Sequence, residues 1–355
     1  MNQKNNLTFS ILIPAHNEEK MISSCVDSCL SQTRKPDEII VINDGSTDKT
    51  AEILRSYGSQ ITVISIDKAT GNKSKAQEIG VKYVTTDILI ATDGDTILDK
   101  DFVKHIEAEF EADRDTAVVM GYVQSTKHNI LTALREIDYT IGQDLYKRAQ
   151  QYIGFILVIP GCAGAFKTEL FRNGAITFDH DTLTEDLDFS YKINQLGLPI
   201  KFNHEAKVYT QDPPTLHSYI NQMRRWYGGG WQNLKKHYPI IINNPKAGLI
   251  LSTTYLEGLV LSSLLIVTPF INIVLFFKLI LSFIIIGTIL GIYASIRKSR
   301  LELLIVSPLF SFLSLINAYI LIEQFVKEII LNKKDMNWFH PERSVNLDTD
   351  KLIKV

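Results

Sequence analysis

Residues 86–102 read TDILIATDGDTILDKDF. The apolar run Ile88-Leu89-Ile90 has the composition of a buried strand, and it leads into Asp93-Gly94-Asp95. Two carboxylates one residue apart repel each other, and a glycine between them gives up backbone rigidity. A core strand that ends this way delivers acid to one edge of a sheet.

The stretch has company. FSILIPAHNE reads as a strand, with a helix from Glu19 to Leu30 behind it. DEIIVINDGSTD is strand then loop, Lys49 to Tyr57 helix, ITVISI strand, and Lys73 to Thr85 helix, before DILIATDGD. Strands separated by one helix each imply right-handed βαβ units, a mixed but mostly parallel sheet and helices on both faces. Ligands of such sheets bind at the carboxyl ends of the strands. Here those ends are Pro14-Ala15-His16-Asn17-Glu18, Asn43-Asp44-Gly45-Ser46 and Asp93-Gly94-Asp95, so three polar clusters are predicted to converge.

Composition bounds the rest. The chain has 355 residues, enough for one large domain or two, and 45% are hydrophobic. A net charge of −2 gives no basis for electrostatic capture of nucleic acid. Cys25, Cys29 and Cys162 form neither a disulfide framework nor a CxxC pair, and the first two sit one helical turn apart as core residues would. MNQKNNLTFS carries no signal-peptide pattern, so the first part of the chain is expected to fold in the cytosol.

Composition then shifts. Between Gly248 and Ile296 the only charges are Glu257 and Lys278, and Leu303 to Ile322 carries none. An uncharged helix of about 20 residues spans a bilayer. Pro269 and Asn272 suit a turn, so crossings are predicted near 248–268, 273–295 and 302–322. This divides the chain into a cytosolic domain at 1–238 and a membrane domain at 239–355, an integral membrane protein whose partners include lipid. Arg297, Lys298 and Arg300 should face the cytosol. The tail conflicts: Lys327, Lys333, Lys334 and Arg343 also look cytosolic, yet three crossings would put them outside. Either the Pro308 segment re-enters or one crossing is miscounted. Glu257 is a channel or headgroup contact, or an interface residue.

Two further stretches carry chemistry. TLTEDLDFSYKINQLG (182–197) places Thr184-Glu185-Asp186 before an amphipathic helix, where Thr184 could equally cap it and Asp188 share the work. LHSYINQMRRWYGGGW (216–231) puts Gln222, Arg225 and Trp226 on one helical face. An amide, a guanidinium and an indole suit a sugar diphosphate; a helix lying on the membrane, with Arg224, Arg225 and Trp226 at the headgroups, fits the same pattern. The Asp93/Asp95 pair suits Mg²⁺ or Mn²⁺, which typically take one or two carboxylates plus substrate phosphates, or else a solvated acidic turn.

IPAHNEE, VINDGSTD, ATDGDT, TEDLDF and QMRRW occur in one order along the chain. Together they resemble family 2 glycosyltransferases of the GT-A fold, and with the apolar helices the membrane-bound polysaccharide-synthase branch that makes cellulose, chitin, hyaluronan and poly-N-acetylglucosamine. The resemblance implies that Pro14, Ala15, Asn17, Glu18 and Asp44 hold the nucleotide, usually UDP. It implies the same for Lys73, in GNKSKAQEIG, where Glu78 departs from the usual Asn. It further implies that Asp95, with Asp93, holds the metal and that PGCAGAFKTEL (160–170) underlies the acceptor's terminal sugar. Asp186 would be the base, and Gln222, Arg225 and Trp226 the QxxRW contacts.

The expected reaction is inverting, metal-dependent transfer from a nucleotide sugar, a UDP-linked hexose or N-acetylhexosamine, to a glycan hydroxyl. Asp186 would accept the hydroxyl proton, while the metal and Arg225 neutralise the leaving diphosphate. Alternatives are non-processive transfer to a lipid-linked or polyprenyl-phosphate acceptor, and a non-catalytic nucleotide-sugar-binding protein. QxxRW argues against the simple polyprenyl-phosphate enzymes, and the retained base and metal pair against the non-catalytic one. A homo-oligomeric channel stays open.

Overall fold

The computed structural model describes residues 6–126, 129–334 and 336. Its centre is an eight-stranded sheet: β1 (Phe9–Ala15), β2 (Glu38–Asp44), β3 (Thr62–Ile66), β4 (Ile88–Ala91), β5 (Ile97–Leu98), β6 (Val118–Ser125), β7 (Gly164–Lys167) and β8 (Ile200–Thr210). The strand order is β3-β2-β1-β4-β7-β6-β8-β5. β3, β2, β1 and β4 are parallel to one another, β7 runs antiparallel between β4 and β6, and β6 and β8 are parallel. The four strands read from the sequence are the parallel half. The interleaved helices are α1 (Ile22–Leu30), α2 (Thr50–Ser56) and α3 (Lys73–Val81), as expected within a few residues at their ends.

The near-continuous apolar runs follow from burial on both faces. Successive side chains of β1 point to opposite sides. Phe9, Ile11 and Ile13 pack with Cys25, Val26 and Cys29 of α1, whereas Leu12 packs with Ile40, Ile42 and Ala76 of α3. Burying each large apolar side chain contributes about 1.5–3 kcal/mol. This clamps the strands and fixes where their polar ends emerge. Cys25 and Cys29 are fully buried core residues.

The second half adds α4 (Phe102–Ala112), α5 (Ile130–Ile141), α6 (Arg148–Ile153), α7 (Glu169–Arg172), α8 (Glu185–Gln195) and α9 (Leu216–Lys236). Asn129 and Thr132 cap α5 reciprocally, and Thr215 caps α9 by accepting the Ser218 N–H at 3.2 Å. Asp212, just ahead of α9, meets the Arg135 guanidinium at 3.4 Å.

Three long apolar helices follow, Pro245–Ile271, Ile273–Lys298 and Leu301–Ile330, each long and apolar enough to cross a membrane. They exceed the expected ranges at both ends or one. Pro269 lies inside the first helix rather than in the turn, one turn from its end, where few backbone bonds are lost. Asn272 is the break, and its side chain caps the second helix by accepting the Leu275 N–H at 3.0 Å. Arg343 lies outside the described residues.

Candidate active site

The strand ends meet as the sequence pattern requires. A Cβ added at Gly94 would lie 3.2 Å from Glu18 Cγ and 3.5 Å from both Ala15 Cβ and the Pro14 carbonyl oxygen. The glycine between the aspartates is therefore set by the close approach of the loop after β1. That loop turns through Asn17 at φ +55°, whose side-chain oxygen accepts the Thr47 N–H at 2.8 Å, while the Glu18 N–H donates to Thr50 Oγ1 at 2.9 Å. Asp44, at the end of β2, accepts both the N–H and the hydroxyl of Thr70 at 2.7 Å. Its carboxylate thus orders the loop leading into α3, whose first residue is Lys73.

Lys73 joins two of the clusters. Its ammonium lies 2.5 Å from Asp93 Oδ1 and 3.1 Å from Glu185 Oε1. Burial on its own would lower the lysine pKa, but Asp93 and Glu185 outweigh it and hold the value well above the usual range. A Cβ at Gly161 would come within 3.0 Å of Lys73 Nζ and 3.5 Å of Asp186 Cβ, so the 160–163 turn lies directly over this group. Next to it, burial followed by the carboxylates of Asp93, Asp95 and Asp186 pushes the Cys162 thiol up, with Lys73 opposing. The Lys73 contacts with Asp93 and Glu185, under the Gly161 turn beside Asp186, bring DGD, Lys73 and TED together.

Asp95 is buried and accepts the Thr96 hydroxyl at 3.2 Å. Among the described residues no three His, Cys, Asp or Glu side chains form a closed metal cage. Asp93, which draws the Lys73 ammonium into contact, and the buried Asp95 two residues on are a fitting donor set for a hard divalent cation, which leaves its remaining positions to phosphate oxygens.

Asp186 opens on the cleft from the first turn of α8, and its Oδ1 accepts the Leu187 N–H at 2.8 Å. Burial, then the neighbouring Glu185, raises its pKa to about 6, against the pull of Lys73 and Arg225. Asp188 is no rival, because it is buried and tied to His237 at 2.7 Å, Lys192 at 2.8 Å and Lys236 at 2.9 Å. Nor does Thr184 cap α8 with its side chain. Its hydroxyl accepts from Asn233 of α9 at 3.0 Å, and a Cβ at Gly229 would meet that hydroxyl at 2.4 Å. The glycine lets α9 press on the turn that carries Glu185 and Asp186.

Gln222, Arg225 and Trp226 share one face of α9. Gln222 is buried with its amide oxygen unpartnered, and Arg225 is near enough to act on Asp186. Trp226 is half-buried with its ring 5.1 Å from the guanidinium carbon of Arg135. Arg135 itself is fully buried, over Tyr139 and Tyr219 and ion-paired with Asp138 and Asp212. Neither Arg135 nor Lys147 stood out in the sequence. Burial lowers Lys147 to about 7 although Asp186 pulls it upward, and its ammonium bonds the Val158 carbonyl. The Glu78 departure has a local cause: Glu78 pairs with His180 at 3.0 Å, and His180 with Ser74 at 2.7 Å, tying α3 to the loop before α8.

A mixed sheet with this strand order and an acidic turn after its fourth strand defines a GT-A architecture. Among solved structures, a mannosyltransferase from Pyrobaculum calidifontis, in complex with GDP-Man and Mn²⁺, superimposes with a TM-score of 0.64 at 18% identity, covering 93% of this chain and 89% of that one. Residues 10–173 match the family model of glycosyl transferase family 2. The chain therefore has the GT-A fold, and residues 10–173 of it are similar to a family 2 glycosyltransferase domain. It is 28% identical over 242 residues to the poly-β-1,6-N-acetyl-D-glucosamine synthase of Staphylococcus epidermidis, covering 68% of this chain and 58% of that protein. To the enzyme of the same name from Staphylococcus aureus strain COL it is 29% identical over 231 residues, 64% of this chain and 56% of that one. The chain thus spans little more than half the length of these relatives.

Proposed function

We propose that the chain transfers a sugar with inversion from a nucleotide sugar to a glycan hydroxyl at the cytosolic membrane face, building a polysaccharide. The observation that carries this reading is Asp186, a cleft-facing carboxylate with a pKa raised to about 6, beside the Lys73–Asp93–Glu185 group. The acceptor hydroxyl gives its proton to the Asp186 carboxylate as its oxygen bonds to the anomeric carbon, and the bond from that carbon to the diphosphate breaks. Such a positioned base contributes roughly 10²–10⁴-fold. Lys73 and Arg225 supply positive charge for the departing diphosphate. Mg²⁺ or Mn²⁺, held by Asp95 and Asp93, would add Lewis-acid neutralisation of the same leaving group. Pro14 to Glu18 and Asp44 frame the nucleotide, and Gln222, Arg225 and Trp226 border the diphosphate and the acceptor.

The relatives' printed activity makes a UDP-linked N-acetylhexosamine the first donor to try. Membranes holding the chain, given a panel of radiolabelled nucleotide sugars and Mg²⁺ or Mn²⁺, should yield a product of many sugars from one donor. A single added sugar on lipid would favour the non-processive alternative, and no transfer from any donor would refute both.

A further inference from the structure

The third apolar helix, Leu301–Ile330, is long and apolar enough for a span, yet it meets the catalytic domain near its start, in its second half and just past its end. Near its start, Leu303 is fully buried in a cluster with Ala133, Leu134 and Ile137 of α5. Farther on, Asn317 accepts the Tyr219 hydroxyl at 2.8 Å, and the Leu321 carbonyl accepts the Trp231 indole N–H at 3.3 Å. Glu323 takes two bonds from Arg224, at 2.8 and 2.9 Å. Past its end, Asn332 accepts from Lys235 at 2.6 Å.

Tyr219, Arg224 and Lys235 of α9 therefore meet Asn317, Glu323 and Asn332 in the same order, with the Trp231 ring reaching back to the Leu321 carbonyl between the first two. Tyr219 and Lys235 lie about 24 Å apart along α9, at 1.5 Å per residue. A helix passing through the hydrocarbon, about 30 Å thick, would leave α9 after one such contact. α9 cannot follow it inward, because it carries Arg224, Arg225, Lys235 and Lys236, and a centrally placed Lys or Arg costs about 2.5–3.5 kcal/mol.

We propose that the chain crosses the membrane twice and that the third apolar helix does not cross. It docks on α9 and offers its outer face to the hydrocarbon of the leaflet on the catalytic-domain side. That face is apolar from Leu301 through Ile305, Leu309 and Phe312 to Tyr319, exposed at helical spacing, and it ends one turn later at Glu323, whose carboxylate is held by Arg224. Charge placement argues independently for the same arrangement. Arg297 pairs with Asp144 and Lys298 with Glu136, both at 3.0 Å, which puts the end of the second helix against the catalytic domain. Two crossings leave Lys327, Lys333 and Lys334 on that side too, with Arg297, Lys298 and Arg300, and only Lys278 near the far turn. Three crossings would split them.

Single cysteines at Glu52→Cys, Asn272→Cys and Lys334→Cys, labelled in sealed membranes with an impermeant maleimide and mapped by mass spectrometry, test the topology. Glu52→Cys and Lys334→Cys should label from one side and Asn272→Cys from the other. Lys334→Cys labelling with Asn272→Cys would overturn the proposal. Two double variants, Tyr219→Cys/Asn317→Cys and Lys235→Cys/Asn332→Cys, read the docking itself. Because these pairs meet only at their side-chain tips, beyond disulfide reach of the Cβ atoms, a flexible bis-maleimide is the probe. It should cross-link both double variants intramolecularly, and a cross-link in neither or in only one of them would also overturn the proposal. These outcomes do not depend on whether the chain transfers sugar.

Discussion

The Lys73 ammonium rests 2.5 Å from Asp93 Oδ1, bound to the carboxylate turn before any donor arrives. A charge-assisted hydrogen bond of this kind is worth about 1.5–3 kcal/mol, which is roughly 10–100-fold. If Lys73 passes that charge to the leaving diphosphate, Lys73→Met should lower kcat/KM by about that factor. The loss should appear in kcat, because the charge grows as the diphosphate departs, and in donor KM as well, because the bound diphosphate is already charged. Unchanged kcat and donor KM, measured by initial rates across donor concentration, would show that Lys73 only pins Asp93 and Glu185.

Asp95 gives the metal prediction. Asp95 is buried in the turn after β4, one residue beyond Gly94 and two beyond the Lys73-paired Asp93, which puts it beside the group a divalent ion would join. Asp95→Asn and excess chelator should each abolish transfer, and Mg²⁺ or Mn²⁺ should restore only the chelated wild type. Full turnover in chelator removes the metal from the reaction.

Asp186 should leave its mark on pH. Its pKa stands at about 6 because burial and Glu185 favour the protonated acid. A base works only when deprotonated, so kcat/KM should fall tenfold per unit below about pH 6 and level off above it. Asp186→Asn should remove most of the transfer while donor affinity, read by calorimetry, stays within a few fold. A variant that keeps near-normal turnover would move the base role to Glu185.

How much of this was legible follows from what local sequence can encode. β1 to β4 could be read because a doubly buried strand needs an unbroken apolar run, and each run ends in the polar residues of the site. β5, two residues long, is held by pairing with β8 and has no signal of its own. Lys147 and Arg135 become visible only through burial beside Asp186 and Trp226, and no spacing rule foretells that. Hydropathy likewise registers that Leu301–Ile330 is apolar, not that α9 lies along it. The clash between three crossings and a basic tail was the one trace of that packing in the sequence.

Gly229 tests whether α9 sets the position of the base. A Cβ there would sit 2.4 Å from Thr184 Oγ1 and 2.7 Å from Thr184 Cγ2, on the turn that leads directly into Glu185 and Asp186. Alanine in place of a helical glycine gains about 1 kcal/mol in propensity, but overpacking of this kind costs about 1–3 kcal/mol. Gly229→Ala should therefore lower stability by about 0–2 kcal/mol, leaving the protein folded. The turn must move, and with it Asp186, so kcat should drop at least tenfold with donor KM nearly unchanged. Thr184→Ala removes both clashing atoms, though it forfeits the Asn233 bond at 3.0 Å. The double variant Thr184→Ala/Gly229→Ala should then recover part of the lost kcat, a coupling that two independent defects would not show. Initial rates of the two single variants and the double variant decide the matter. Additive losses would mean that the approach of α9 to Thr184 is packing without consequence for Asp186.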